Sequence, residues 1–345
     1  MAEPVAPGRP GHRATIRDVA NVAGVDPSLV SRVVNNHPKA SASPATRARI
    51  LAAVEQLGYR ANAAARGLAS ASTQTLGLVL PDLANPMYGA VISGVAREAE
   101  ATGYGLIVAS RAEGEPEESF GRLLQTGPVD GLLVASGLLG DDFLRRVTFG
   151  GGPVVLVNRR VQGVQASVTV DDAAGSALAV QHLVERGHRD IVGLFGPDDV
   201  DTSLRRRTGF EQGMRAAGLT SRSIGLTSWS MPTGYQAGLD LLSSGTHPTA
   251  VFASTVAMGV GILRATRELG IDVPGELSVI GLHDIELADY LAPPLTLVKM
   301  PTEDMGARAV RLLVSLIGGG EPSNQVVRGP MSVVERASVA APRSR

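Results

Sequence analysis

From Thr75 onward the chain alternates short Val/Leu-rich runs with helical stretches, and this alternation constrains its fold more than any other feature. The runs TLGLVLPD, YGLIVAS, VDGLLVAS and GPVVLVN each end in polar or glycine residues. Between them lie stretches of helical character such as VISGVAREAEATG. Strands alternating with helices predict βαβ units and a parallel sheet buried on both faces. The pattern restarts after Asp171 with DIVGLFGP, TAVFAS and ELSVIGLHD, so two doubly wound lobes are expected. The predicted class is α/β, with an N-terminal all-α head ahead of two parallel-sheet lobes.

The 345 residues suffice for two or three domains. The absence of cysteine excludes disulfides and thiolate metal sites and suits a reducing cytoplasm. Met1 to Arg13 contain Pro, Gly and Arg but no apolar stretch, and are expected to form a disordered leader rather than a signal peptide. No apolar run approaches the roughly 18 residues of a membrane span, so a soluble, cytoplasmic protein without membrane contact is expected. The net charge of −1 hides an asymmetry. Residues 1–70 hold nine basic and four acidic side chains, a balance of +5, which leaves −6 for the remainder. A basic head on an acidic body is the layout expected when only the head meets phosphates.

The head reads ATIRDVANVAGVDPSLVSRVVN from Ala14. Ile16, Val19, Ala20 and Ala23 recur at helical spacing, and Gly24 supplies a turn. Asp26 is a good N-cap, Pro27 suits the first helical position, and Leu29, Val30, Val33 and Val34 mark the buried side of a second helix. Two short helices joined by a glycine-bearing turn form a helix-turn-helix, whose second helix enters the major groove. Ser43 and Pro44 start a third helix, striped by Ile50, Val54 and Leu57 and stopped by Gly58. A purely structural three-helix bundle fits the same pattern.

Residues Thr15 to Leu68 strongly resemble the lactose-repressor family of bacterial regulators. The matching pieces are TIRDVANVAGV, VSRVVN, TRARILAAVEQLGY and NAAARGLA, in the family's order. The loop NNHPKASASPA is longer than in the lactose repressor. The resemblance implies that Pro27, Ser28 and Arg32 face base edges, with Arg32 able to bond guanine O6 and N7 bidentately. It places Thr15, Ser31, Asn35 and Thr46 at phosphates, where contacts fix register without reading sequence. Asp26 stands where a Ser cap is usual, bringing a carboxylate near phosphates, and Pro27 cannot hydrogen-bond a base. The alternative reading of Arg32 is a solvated surface arginine.

The resemblance divides the chain into a leader (1–13), a helix-turn-helix domain (14–60), a hinge helix and linker (61–74) and an effector-binding, dimerising body (75–345). The hinge helix, capped by Asn62, is too short to persist alone in water. In the family it folds on DNA, so Asn62, Ala65, Arg66 and Leu68 are expected in the minor groove, with Leu68 wedging open a base step. Ala61 stands where Pro is common. In the body the family's chain crosses between lobes three times, here near Ser167–Asp171, Val298–Lys299 and Gln325–Arg328. That gives an N-lobe of 75–168 and 299–326 and a C-lobe of 169–298 and 327–341, a periplasmic-binding-protein-like arrangement.

Open α/β sheets bind ligands beyond the carboxyl ends of their strands. The strand-end candidates are Asn85, Met87 and Tyr88, then Asn158, Arg159 and Arg206, and finally Trp229, Thr255 and His283. The family places its effector among these positions, with an arginine at 206 and a stacking tryptophan at 229. Core packing for Trp229 and a surface ion pair for Arg206 are the structural alternatives. Thr255-Val256 replaces the usual Asn-Asp, and His283 and Asn158 replace frequent aspartates. Carboxylates are what sugar hydroxyls are commonly held by, so their loss argues against a simple sugar effector. Arg159, Arg206 and His283 would instead make the cleft electropositive, which points to an anionic or less hydroxylated effector, or to a degenerate cleft.

Nucleotide-binding glycine loops, HExxH and GxSxG motifs are absent, and the six histidines show no metal-ligand spacing, so neither catalysis nor a cofactor is expected. An exported sugar-binding protein would share the body but not the basic head. The expected protein is a transcriptional repressor, dimeric on a pseudo-palindromic operator and modulated by a small molecule. The end VAAPRSR carries no heptad tail, which favours a homodimer over a tetramer. The alternative is a ligand-binding or interaction module whose head has lost DNA binding.

Overall fold

The computed structural model describes residues 14–34, 41–59, 72–83, 85–110, 129–135, 139–150, 152–243 and 247–343. Contacts divide the chain into a head, Met1–Thr73, and a body, Gln74–Arg345. The expected leader and hinge helix lie outside the described residues.

The head contains helices α1 (Ile16–Ala23), α2 (Pro27–Val34) and α3 (Pro44–Gln56). Thr15 caps α1 in a reciprocal capping box with Asp18. Gly24, at φ 63°, ends that helix in the left-handed conformation that lets the chain turn directly into α2. The carboxylate of Asp26 accepts from the Ser28 N–H at 2.8 Å, so it does start α2. Ser43 likewise accepts from Thr46 N–H at 3.2 Å at the start of α3. Val19, Ala20, Val30, Val33, Ile50 and Ala53 form the shared core. Arg49 Nε ties α3 to the carbonyl of Ala23 at 3.2 Å.

The body is built from two six-stranded sheets. The first sheet takes β1 (Thr75–Leu80), β2 (Gly105–Ser110), β3 (Gly131–Val134), β4 (Val154–Val157), β5 (Ser167–Val170) and β11 (Asn324–Val327). Its order is β11-β5-β4-β3-β1-β2, and every pairing in it is parallel. The second takes β6 (Ile191–Phe195), β7 (Arg222–Gly225), β8 (Ala250–Ala253), β9 (Ser278–Leu282), β10 (Thr296–Lys299) and β12 (Ser332–Val334). Its order, β12-β10-β9-β8-β6-β7, repeats that of the first except that β12 runs antiparallel to β10. Each sheet therefore reverses its winding beside its first strand, between β1 and β3 and between β6 and β8. Such switch points are where open α/β sheets leave room for a ligand.

Helices α4 (Tyr88–Ala101), α5 (Asp141–Gly150) and α10 (Thr302–Ile317) belong with the first sheet, and α6 (Asp172–Glu185), α7 (Asp201–Ala216), α8 (Met231–Leu242) and α9 (Val256–Leu269) with the second. Among the described residues, no helix is long and apolar enough to cross a membrane. The chain passes between lobes after Val170, Lys299 and Val327. The sequence reading starts the first and third crossings at Ser167 and Gln325. Parallel pairing of β5 with β11 from Ser167–Asn324 to Val170–Val327 keeps both strands in the first sheet to their ends.

Candidate nucleic-acid interface and effector cleft

Helix α2 turns Val30 and Val33 into the head's core, which leaves Ser28 and Arg32 exposed on the opposite face, with Pro27 half-buried at its start. The Arg32 guanidinium lies back along the helix, donating from Nε to the Ser28 carbonyl at 3.2 Å and from Nη2 to Ser28 Oγ at 2.9 Å. Hydrogen bonds from Ser28 hold the Asp26 carboxyl below the ordinary carboxylate range, so it is charged at neutral pH. The hydroxyls expected at phosphates already have local partners. Thr15 Oγ1 donates to Asp18 at 2.7 Å, and Thr46 Oγ1 lies 2.9 Å from Ser43 Oγ. Ser31 is half-buried. Asn35, Asn62, Ala65, Arg66 and Leu68 lie outside the described residues.

In the body, the effector candidates gather at the carboxyl ends of the parallel strands. Asn85, Met87 and Tyr88 follow β1, Asn158 and Arg159 follow β4, Trp229 follows β7, Thr255 follows β8 and His283 follows β9. Arg206 reaches the same layer from the second turn of α7. Its side chain is 2 % exposed and bonded on every side. Nε donates to Asp172 Oδ1 at 2.8 Å, Nη1 to the Ser254 carbonyl at 3.1 Å, and Nη2 to His283 Nε2 at 3.3 Å. Asp172, fully buried at the start of α6, also accepts from Arg205 Nη2 at 2.7 Å. Burial opposes its charge, but Arg206 and Arg205 outweigh that and hold its pKa below the ordinary value. Burial first, and then the neighbouring Arg206 charge, push the His283 ring down to about 3, so it is neutral.

The lobes meet at the same place. Thr202 Oγ1 donates to the Asn158 carbonyl at 2.6 Å, and the Arg160 N–H donates to Asp201 at 2.8 Å. Asn158 and His283 adopt the left-handed backbone, at φ 58° and 70°. Such conformations are uncommon outside glycine, although Asn and His tolerate them best. Both residues remain in the sheet ladder, through Asn158 N–H to Val168 and His283 N–H to Val298. Backbone strain of this kind gathers at functional sites.

Several candidates have structural duties. Thr255 caps α9, accepting from Met258 N–H at 3.3 Å. Asn85 accepts from Met87 N–H at 3.2 Å ahead of α4, and Tyr88 donates to the Ala135 carbonyl at 3.1 Å. The Trp229 indole lies so close over Gly196 that a Cβ there would come within 2.1 Å of it. Arg159 bonds the Leu139 carbonyl at 2.8 Å and Asp141 at 2.6 Å.

These pairings correct the expectation of an electropositive cleft. Arg159 pairs with Asp141, Arg205 with Asp172 and Asp201, and Arg206 with Asp172. Three arginines thus face three aspartates, and His283 adds no charge. Sequence reasoning missed Asp172, Asp141, Asp201 and Arg205. Asp172 had one visible cue, a second acidic residue beside the Asp171 cap in VTVDDAAG. Beside this layer runs an interlobe crevice of about 510 Å3, lined in part by Asp141, Arg160, Asp201 and Leu204. Arg206, Thr255 and His283 stay packed away from it.

Comparison with known proteins places both units. Residues 15–62 match the family model "Bacterial regulatory proteins, lacI family", and residues 180–339 match "Periplasmic binding protein-like domain". The chain is 32% identical over 329 residues to catabolite control protein A of Priestia megaterium, covering 94% of this chain and 98% of that protein. It is 34% identical over 336 residues to the HTH-type transcriptional regulator GalR of Escherichia coli K12, covering 95% and 96%. The crystal structure of the lac repressor dimer bound to operator and the anti-inducer ONPF superposes with a TM-score of 0.82 at 28% identity, over 96% of this chain and all of that one. A complex of the transcriptional regulator CelR with cellobiose gives 0.69 at 32% identity, over 94% and 100%.

Proposed function

The chain belongs to the lacI family of bacterial regulatory proteins, and we propose that it represses transcription as a homodimer on a pseudo-palindromic operator, released or recruited by a small molecule held between its lobes. The observation that carries this reading is a helix-turn-helix whose second helix leaves Ser28 and Arg32 exposed opposite its buried face, in a head with a charge balance of +5. A two-fold dimer demands a two-fold site, which fixes the half-site symmetry. In this proposal Pro27, Ser28 and Arg32 read bases, and Thr15, Ser31, Asn35 and Thr46 hold phosphates. Asn62, Ala65, Arg66 and Leu68 enter the minor groove at the operator's centre. The protein works in the cytoplasm beside its DNA and performs no catalytic step.

The effector set is Asn85, Met87, Tyr88, Asn158, Arg159, Arg206, Trp229, Thr255 and His283. The absent aspartates support an effector other than a simple sugar. Of the two remaining classes, anionic and hydroxyl-poor, the compensated arginines favour the second. Selection of binding sites from a randomised duplex pool tests the regulator reading directly. A retained pseudo-palindrome with a flexible central step is the expected product. A pool without an enriched motif would leave a ligand-binding or interaction module with a disabled head.

A further inference from the structure

The residues at the start of α2 form a directed chain of hydrogen bonds. Arg32 donates from Nε to the Ser28 carbonyl at 3.2 Å and from Nη2 to Ser28 Oγ at 2.9 Å. A guanidinium only donates, so the Ser28 hydroxyl accepts there and has its own proton to give onward. It gives that proton to the Asp26 carboxylate, which also accepts the Ser28 N–H at 2.8 Å. Each group holds a role that its chemistry allows: the guanidinium donates, the hydroxyl relays and the carboxylate accepts. The Asp26 charge attracts Arg32 directly as well.

This chain decides which part of Arg32 meets DNA. Nε and Nη2 form the side-on edge of the guanidinium, and Ser28 occupies it. The end-on edge, Nη1 with the second Nη2 proton, is left as a fork of two donors, the shape that fits guanine O6 and N7. Asp26, Ser28 and Arg32 are all exposed. An exposed arginine gives up much rotamer freedom on meeting a base, and one already held gives up less. The same carboxylate fills the helix N-terminus that would otherwise attract a phosphate, so a neutral base edge is the partner that this end of α2 suits.

We infer that Asp26 is a specificity-determining residue of operator recognition, which acts through Ser28 to position Arg32 with its end-on edge toward a guanine. It is a positioning residue, since its effect on the base passes through the arginine. The inference rests on the regulator reading and deepens it.

The test uses the full chain with Asp26→Asn, Ser28→Ala and the double variant. Selection from a randomised duplex pool gives the duplex that the wild-type chain prefers, and Arg32→Ala marks the guanine whose preference is lost. Asparagine keeps an acceptor for the Ser28 N–H, and so the cap, but its amide nitrogen cannot take the hydroxyl proton. The readout is the ratio of affinities, at one salt concentration, for that duplex and for its substitution at the marked guanine. A general change in attraction to phosphates cancels in this ratio. Asp26→Asn and Ser28→Ala should each lower it roughly threefold to tenfold, and the double variant no further. Preference at the remaining positions, kept in Asp26→Asn, shows that its head is folded. An unchanged ratio in Asp26→Asn overturns the inference, as do losses that multiply in the double variant or fall equally on every position. An Arg32→Ala that relaxes a base other than guanine, or none, overturns it too. If Asp26→Asn does not fold, Ser28→Ala decides, and an unchanged ratio there overturns the inference. A pool without a motif would sink the regulator reading and this inference with it, whereas a motif whose guanine is indifferent to Asp26 sinks the inference alone.

Discussion

On the exposed side of α2, Ser28 holds the guanidinium of Arg32 along the helix. The arginine therefore meets a groove with much of its side-chain freedom already gone. Arg32→Ala should cost about 1–3 kcal/mol of operator binding and relax preference at one base position, which affinities for single-base operator variants would show. A uniform loss across all variants would mark Arg32 as a phosphate contact instead. His283 makes a prediction of a different kind. Its folded pKa is depressed from 6.5 to about 3, so its contribution to stability is complete above pH 6.5 and is lost as pH falls toward 3, because the unfolded chain takes up the proton first. Between pH 7.5 and 5 this one ring should remove about 2 kcal/mol of stability. His182 and His188, also depressed by burial, act in the same direction. Denaturant unfolding at the two pH values should show a smaller drop for His283→Gln than for the wild-type chain. An equal drop would mean that the ring takes up its proton in the fold as readily as in the unfolded chain.

Helices α6 and α7 carry the two halves of the buried ion pair, Asp172 and Arg206, and a close approach sets their spacing. A Cβ on Gly209 would lie 2.1 Å from the carbonyl oxygen of Ala173. Gly209→Ala should push the helices apart and destabilise the body by about 1–3 kcal/mol, read as a lower denaturant midpoint with unchanged slope. Full stability in that variant would show that α7 slides freely along α6. At this scale the sequence was readable wherever its pattern was local. The cap at Thr15, the turn at Gly24 and the Asp26-Pro27 start could be found because each involves residues only a few positions apart. Apolar runs such as VVLV and IVGLF marked central strands by the same logic. The pairing of Asp172 with Arg206 could not be read, since it depends on a crossing after β5 and on which face of α7 turns inward. Arg159 and Arg206 were visible as candidates, but their compensation was not, and so the cleft's charge was misjudged.

For the molecule as a whole, the head and the cleft differ in what should govern their binding. Phosphate neutralisation releases counterions, so operator affinity should fall steeply with salt, whereas a neutral cleft taking an uncharged ligand should be nearly indifferent to it. That difference permits a test of coupling in which the two sites cannot be confused. If a cleft ligand changes operator affinity by some factor, linkage requires the operator to change ligand affinity by the same factor. Typical coupling of 1–3 kcal/mol corresponds to roughly 5–150-fold, well within the range of titration. Ligand affinity measured with and without saturating operator, and operator affinity with and without saturating ligand, should therefore shift equally at one salt concentration. Raising the salt should weaken operator binding in both ligand states while leaving the ratio between them nearly constant. A ratio that collapses with salt would mean that the ligand acts on the basic head itself. A preserved ratio places the switch in the balance between two arrangements of the lobes, with Asp172, Arg206 and His283 at the layer where those lobes meet.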